Sequence, residues 1–244
     1  MVNTPAREDP SIVPRRSWRS LPPAFQSHHR AAAPRPARHG APQAIPTGLP
    51  ALDRALGLGG LPKGRIGELS GRPDSGHRTL ALRFLAQAQA DGKVAYINLS
   101  GSFDANVARQ NGLDLSRLTL GEARDFEEAL TMAEAVVRTG GPAALVLDVT
   151  NTLWVDADES RSIATSLRRL CAPLSNSGAV LLVLSGLSGV TAFATFADVR
   201  LRVTHRRWIE RDGVIEGQQV TVQVLKNRFA PPGGSVVVAM RLSY

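Results

Sequence analysis

Residues 65–79, RIGELSGRPDSGHRT, are the part of the sequence most informative about the fold. Arg65 to Ser70 has the short apolar character of a buried strand, and the turn from Gly71 to Gly76 is rich in glycine and polar residues. The residues after the turn repeat with helical spacing, which predicts an amphipathic helix. The apolar face of that helix consists of Leu80, Phe84 and Leu85, and its polar face of Arg83, Gln87 and Gln89.

The turn resembles a P-loop, which reads Gly-x-x-x-x-Gly-Lys followed by Ser or Thr, between a strand and a helix. Gly71 and Gly76 have the required spacing, so backbone N–H groups can face a phosphate at the positive end of the helix. The lysine position holds His77, which is shorter and mostly neutral at pH 7. The hydroxyl position, which should hold Mg²⁺, is Arg78, and Thr79 comes one place too late.

These replacements predict a vestigial nucleotide site with no catalytic residue and no metal. The loop then persists either as a turn that only forms the fold, which we favour, or as a weak ATP site. The residues assigned to the vestigial site are Gly71, Asp74, Ser75, Gly76, His77, Arg78, Thr79 and Asp148.

Apolar strands alternate with helices through the middle of the chain, which predicts a parallel sheet covered on both faces. The C-terminal third instead alternates apolar and polar residues around an Asp212-Gly213 turn, which predicts an antiparallel extension. The predicted strands are 94–99, 143–149, 179–184 and 235–242, with alternating Val199, Leu201, Val203 and Val220, Val222, Val224. The predicted helices are 103–110 and 122–139, and a third that Asp158 or Ser160 caps, with a stripe of Ile163, Leu167, Leu170 and Leu174.

The charge is concentrated in the first 44 residues. The chain of 244 residues has a net charge of +8. Residues 1–44 hold seven arginines against Glu8 and Asp9, which gives +5, and eight prolines break any regular element there. We predict a disordered basic arm over 1–44 and a core domain over 45–244. The arm either contacts DNA or a partner protein, through Arg15, Arg16, Trp18 and Arg19, or is a polar leader without a role.

The remaining composition excludes several classes of protein. A single cysteine, Cys171, rules out an intrachain disulfide, and we expect its side chain to be buried on a helix. No apolar run approaches the roughly 20 residues that cross a bilayer, and no secretory signal is recognisable. We therefore expect a cytoplasmic protein that does not bind membranes.

Residues 45–71, IPTGLPALDRALGLGGLPKGRIGELSG, resemble the opening motif of the RecA family, and the resemblance extends over residues 45 to 243. It implies an α/β P-loop NTPase core whose relatives form head-to-tail filaments on DNA. In the family a glutamate after the second core strand prepares the attacking water, and Ser100 takes that place here. Asp148 matches the Walker B aspartate, but Leu184-Ser185-Gly186 offers no sensing amide.

Other departures concern DNA and neighbouring subunits. Both DNA-binding loops of the family look shortened, the second to the stretch between Ser185 and Thr195. Residues 224–228, VLKNR, resemble the family's late lysine-rich strand. Lys226 and Arg228 match positions that reach a neighbour's ATP in the family. Both are therefore candidates for contact with a partner or DNA, although without ATP we favour their interpretation as surface charges.

This pattern of losses looks like the ImuA group, RecA-related accessory proteins of a bacterial mutagenesis cassette. The resemblance implies a non-catalytic role in DNA damage tolerance, with RecA, an ImuB-like protein or an error-prone polymerase as partners. The cluster of Arg200, Arg202, Arg206 and Arg207 either contributes contacts or is a solvated strand face. Two alternatives stay open, an ATP-dependent recombinase and a SulA-like cell-division inhibitor, and so does a homo-oligomer.

Overall fold

The computed structural model describes residues 42–151, 157–186, 191–231 and 234–241. Helices and strands alternate through most of this part, and three long strands follow at its C-terminal end. The strands are β1 Ala44–Ile45, β2 Leu61–Pro62, β3 Ile66–Gly71, β4 Val94–Asn98, β5 Leu118–Glu122, β6 Ala144–Asp148, β7 Val180–Ser185, β8 Val199–Arg211, β9 Val214–Asn227 and β10 Ser235–Arg241. The helices are α1 Pro50–Leu56, α2 His77–Ala88, α3 Ala105–Gln110, α4 Phe126–Arg138, α5 Ala157–Ser177 and α6 Thr191–Phe196.

Eight strands form one mixed sheet in the order β10-β9-β8-β3-β7-β6-β4-β5. All pairings from β8 through β3, β7, β6 and β4 to β5 are parallel. β8, β9 and β10 are antiparallel to one another. The predicted fold, a mainly parallel sheet with flanking helices and an antiparallel C-terminal extension, is confirmed.

Two apolar cores lie on opposite faces of this sheet. The first packs α1 and α2 against the sheet through residues such as Leu52, Leu80 and Phe84. The second packs α4 and α5 through residues such as Leu130, Leu167 and Leu170. Truncating one such buried leucine to alanine typically costs about 2–5 kcal/mol, so both layers are needed to hold the sheet.

Local capping fixes where the helices begin. The Asp125 carboxylate accepts the backbone N–H of Glu128 at 2.8 Å and thereby caps α4. Asp104 caps α3 in the same way, because it accepts the N–H groups of Asn106 and Val107. These two caps fix the starts of the helices that follow the carboxyl ends of β4 and β5.

Two predictions about element boundaries are wrong. Residues before Phe126 do not belong to α4, because Leu118–Glu122 pairs with β4 as a parallel edge strand. Helix α5 begins at Ala157, so Asp158 lies in its first turn, Ser160 lies inside it, and neither residue is the cap. An acidic first turn suits the positive end of the helix dipole.

Two predictions about side chains and one about a loop also need correction. The Gln89 side chain is buried instead of lying on a polar face, because its amide exchanges two hydrogen bonds with the backbone of Asp114. Cys171 is exposed, since it lies at the margin of the apolar stripe of α5. The stretch predicted as a short loop from Ser185 to Thr195 contains helix α6.

The antiparallel extension agrees with the sequence pattern. Val199, Leu201 and Val203 of β8 are buried, and their partners in β9 include Val222 and Val224. Asp212 and Gly213 connect the strands with positive φ angles of 51° and 78°, as a tight hairpin turn requires. Within the described ranges, no helix is both long and apolar enough to cross a bilayer.

Candidate functional site

The P-loop-like turn has the predicted position between β3 and α2. Gly71 is the last residue of β3, and Gly76 precedes α2 with a left-handed φ of 85°. The N–H of Ser75 donates to the carbonyl of Arg72 at 3.0 Å, which closes the turn. A Cβ atom on Gly71 would lie 2.2 Å from the Ser75 hydroxyl, so any other residue there would displace the Ser75 side chain.

The inside of the turn is occupied by the protein's own side chains. Ser75 and His77 are both buried, and the His77 Nδ1 lies 3.0 Å from the Ser75 hydroxyl. The Nε2 atom of the same ring lies 3.1 Å from the Thr150 hydroxyl. Burial, reinforced by the charge of Arg78, lowers the pKa of His77 to about 4. The position that carries a charged lysine in a P-loop therefore holds a neutral imidazole at pH 7.

Arg78 forms an ion pair with the carboxylate at the end of β6. Its Nε donates to the Oδ2 of Asp148 at 3.0 Å, and the Asp148 side chain is fully buried. Tyr96 donates its hydroxyl to the same oxygen at 2.6 Å, and Ser102 donates at 3.3 Å. Thr150 donates to Oδ1 through its N–H at 3.0 Å and its hydroxyl at 2.7 Å.

Five donors thus surround this carboxylate. Burial raises the pKa of Asp148, but the hydrogen bonds from Tyr96 and Thr150 and the charge of Arg78 outweigh that effect, and the pKa is lowered. Burial beside the carboxylate raises the pKa of Tyr96 well above its usual value. The site therefore contains an ionised aspartate whose countercharge is an arginine of the same chain.

The outer flank of the turn is covered by β9. The Gln218 amide nitrogen donates to the Thr79 hydroxyl at 3.2 Å, and its side chain lies against Gly76. A Cβ atom on Gly76 would lie 2.7 Å from that amide. Thr79, one place late for a P-loop hydroxyl, is therefore bound to Gln218.

Ser100 holds the position of the expected water-activating glutamate, and it belongs to a polar network that reaches the carboxylate of Glu122 through Asn98. The Ser100 hydroxyl donates to the Asn98 side-chain oxygen at 3.1 Å and contacts the Ser102 hydroxyl. The Asn98 amide donates to both Glu122 oxygens at 3.1 Å. Among the residues that the structure describes, no three His, Cys, Asp or Glu side chains are grouped as a metal site would need.

Most of the predicted site residues lie around the turn and the end of β6, but the Asp74 side chain does not join them. Its side chain is 74% exposed and pairs only loosely with Arg72 at 3.7 Å. The arm residues Arg15, Arg16, Trp18 and Arg19 lie outside the described residues.

Lys226 and Arg228 lie at the end of α6, away from the turn. Lys226 donates to the carbonyls of Ala194 and Thr195, and Arg228 pairs with Asp198 at 2.9 Å. Burial, with the neighbouring charge of Arg228, lowers the pKa of Lys226. Both cations are thus engaged within the chain.

Four side chains of the site are not predicted from the sequence. Tyr96 is a polar residue in an apolar strand, and Thr150 follows Asp148 by two positions, so both carried a weak signal. Ser102 and Gln218 reach the site only through the fold, because Ser102 is 46 positions from Asp148 and Gln218 is 139 positions from Thr79.

Comparison with known proteins agrees with this architecture. The RecA N-terminal domain family matches residues 37–185 of the chain. Protein RecA of Chlorobium limicola is 33% identical over 217 aligned positions, which cover 78% of this chain and 62% of that protein. Protein RecA of Bartonella quintana is 34% identical with the same coverage, and that of Frankia alni is 34% identical with 63% of its length covered. The chain thus spans less than two thirds of the length of these relatives, and it belongs to the RecA family.

Proposed function

We propose that this RecA-family protein does not turn over ATP and acts as an accessory protein in the response to DNA damage. The observation that carries the proposal is the ion pair between Arg78 and Asp148 at 3.0 Å. An arginine of the chain stands beside the carboxylate that a P-loop enzyme uses toward Mg²⁺.

The residues present do not fit a magnesium–nucleotide complex. Both carboxylate oxygens of Asp148 already accept hydrogen bonds, which come from Arg78, Tyr96, Ser102 and Thr150. Removing one partner of a buried ion pair costs about 3–5 kcal/mol when the charge is left unpaired. The Arg78 side chain is 22% exposed, so solvent reduces this cost, but a metal would still have to displace it.

The interior of the loop gives a second, independent reason why the site does not fit a nucleotide. A phosphate inside the turn would have to replace contacts between His77 and the hydroxyls of Ser75 and Thr150. The imidazole that it would meet is neutral at pH 7, because the pKa of His77 is about 4. Nothing at this position supplies the permanent charge that a P-loop lysine directs at the β- and γ-phosphates.

The proposed role therefore depends on surfaces instead of catalysis. The resemblance to the ImuA group supports RecA, an ImuB-like protein or an error-prone polymerase as partners. Arg202, Arg206 and Arg207 are exposed on β8, whereas Arg200 pairs with the buried Glu68. Exposed arginines on a strand suit an anionic partner or the rim of a protein interface.

The first experiment tests the partners. Purified protein is added to RecA filaments while filament ATP hydrolysis is measured, and binding to the polymerase components is measured in parallel. We expect a change in filament hydrolysis or direct binding. Absence of both effects contradicts the accessory role. A chain lacking residues 1–44 serves as the matched variant, since weak salt-sensitive DNA binding through the arm should disappear with it.

Two further measurements distinguish the alternative functions. Micromolar, Mg²⁺-dependent ATP binding that is lost in Gly76→Asp would favour an ATP-dependent recombinase instead. Filamentous cells on overexpression without DNA damage would favour a cell-division inhibitor. No observation among the described residues favours either alternative over the accessory role.

A further inference from the structure

The strand β10 is an open edge of the central sheet. It comes first in the strand order, and within the described part of the chain only β9 pairs with it. Its sequence SVVVAMR contains one charged residue, Arg241, at its end. The Arg241 guanidinium is already paired with Glu216 at 3.1 Å.

The backbone register shows which groups of β10 face outward. The N–H of Val224 donates to the carbonyl of Gly234 at 2.9 Å, which marks a hydrogen-bonded pair. Such pairs alternate along an antiparallel ladder, so Val236, Val238 and Met240 direct their backbone groups at β9. The N–H and C=O groups of the intervening residues, including Val237 and Ala239, therefore point away from the sheet.

Among the described residues, β10 shows few of the features that protect an edge strand against strand addition. Natural edge strands are blunted by lysine, proline, inward charges or bulges. β10 has no lysine or proline, and its pairing with β9 shows no register shift. The Val237 side chain is 42% exposed, and Ala239 is exposed on the same face. A seven-residue edge with three consecutive valines is suited to pairing with another strand.

We propose that β10 pairs with β10 of a second copy of this chain, in antiparallel fashion across a twofold axis at Val238. In this register Val237 faces Ala239 of the second copy, and both are exposed in the single chain. Val236 faces Met240, so the buried face of the sheet continues across the axis. A shift by one residue would turn the buried face to solvent, which disfavours it.

Charge and composition favour a second copy over the N-terminal arm. In the twofold register Arg241 lies opposite Ser235, so no like charges oppose each other. The arm contains eight prolines in 44 residues, and each proline lacks the N–H that a ladder requires. The other possible partner of this edge is a strand from a different protein, and the oligomeric state of the purified chain distinguishes it from a second copy.

The size of the contact sets the expected affinity. Pairing of two short edges buries less than the standard interface of about 1,600 Å². We therefore expect a dissociation constant on the order of 10 µM and a dimer that depends on concentration. A twofold contact closes on itself, so the association should stop at the dimer.

Sedimentation velocity of the full chain between about 1 and 200 µM tests this inference around the expected affinity. The unmodified chain should shift from monomer to dimer over this range. Val237→Lys should weaken the dimer at least about tenfold, because it places a charge in the paired edge. Val214→Lys is the matched control, since Val214 is 57% exposed on β9 outside the edge, and it should dimerise like the unmodified chain.

Several results would overturn the inference. These are a monomer at every concentration, an open-ended polymer, a dimer that survives Val237→Lys, or a dimer that Val214→Lys weakens equally. A chain that stays monomeric means that any partner of the edge is another protein. Ala239→Lys is the second variant if Val237→Lys loses its far-UV circular dichroism, and it should weaken the dimer to the same extent.

Discussion

The neutral imidazole of His77 predicts a specific dependence of stability on pH. His77 has no solvent exposure, and burial lowers its pKa from 6.5 to about 4. The folded pKa lies below the unfolded value, so between these values the unfolded chain binds more protons than the folded chain. The free energy of unfolding contributed by His77 therefore falls as pH drops from 6.5 towards 4.

The size of the effect follows from the two pKa values. A difference of about 2.5 pKa units corresponds to about 3 kcal/mol once the pH is below both values. At pH 5 most of this loss has already occurred, and it amounts to about 2 kcal/mol relative to pH 7.

The variant His77→Gln isolates this contribution, because glutamine is polar and of similar length but does not titrate. Urea unfolding at pH 7, 6 and 5 gives the free energy for both proteins, and the compared quantity is the change with pH. We expect the variant to lose about 2 kcal/mol less than the unmodified chain between pH 7 and pH 5. Equal losses in the two proteins would contradict this prediction, as would a His77 imidazole resonance, assigned by its absence in the variant, that titrates near 6.5 in NMR spectra.

Three further predictions concern the same site. Arg78→Ala should lower the free energy of unfolding by about 1–3 kcal/mol at pH 7, because Asp148 loses its countercharge. Arg72→Ala in the same loop is the control, and chemical denaturation should give it the same free energy of unfolding as the unmodified chain. Tyr96→Phe removes the 2.6 Å donor to Asp148, so the pKa of that carboxyl should rise and the acid unfolding midpoint should move to higher pH. The double variant His77→Lys with Arg78→Thr restores the P-loop pattern, and calorimetry should show Mg²⁺–ATP binding at least about tenfold tighter than in the unmodified chain; an unchanged affinity would mean that other features block the site.

Periodicity was sufficient to predict most of the fold. The buried strands around Val146 and Leu182 are apolar throughout, and the stripe of α5 from Ile163 to Leu174 repeats with helical spacing. The short edge strand β5 was missed, because its residues are only half-buried and carry no strong alternation. Local signals are weakest at an edge, where one side of the strand makes no contact.

The site was only partly predictable for a different reason. The spacing of Gly71 and Gly76 and the loss of lysine at position 77 can be seen in the sequence. The pairing of Arg78 with Asp148 joins residues 70 positions apart, and it exists only because β3 and β6 lie near each other in the sheet. The contact of Gln218 with Thr79 beside the turn likewise exists only because the antiparallel extension brings β9 to that place.

The most direct test of the account is phosphate release from Mg²⁺–ATP by the purified full chain, with and without single-stranded DNA. Asp148→Asn serves as the control for contaminating enzymes, since it alters the carboxylate that Arg78 holds. We expect the same background rate for both proteins under both conditions. Sustained, Mg²⁺-dependent release by the unmodified chain that disappears in Asp148→Asn would contradict it.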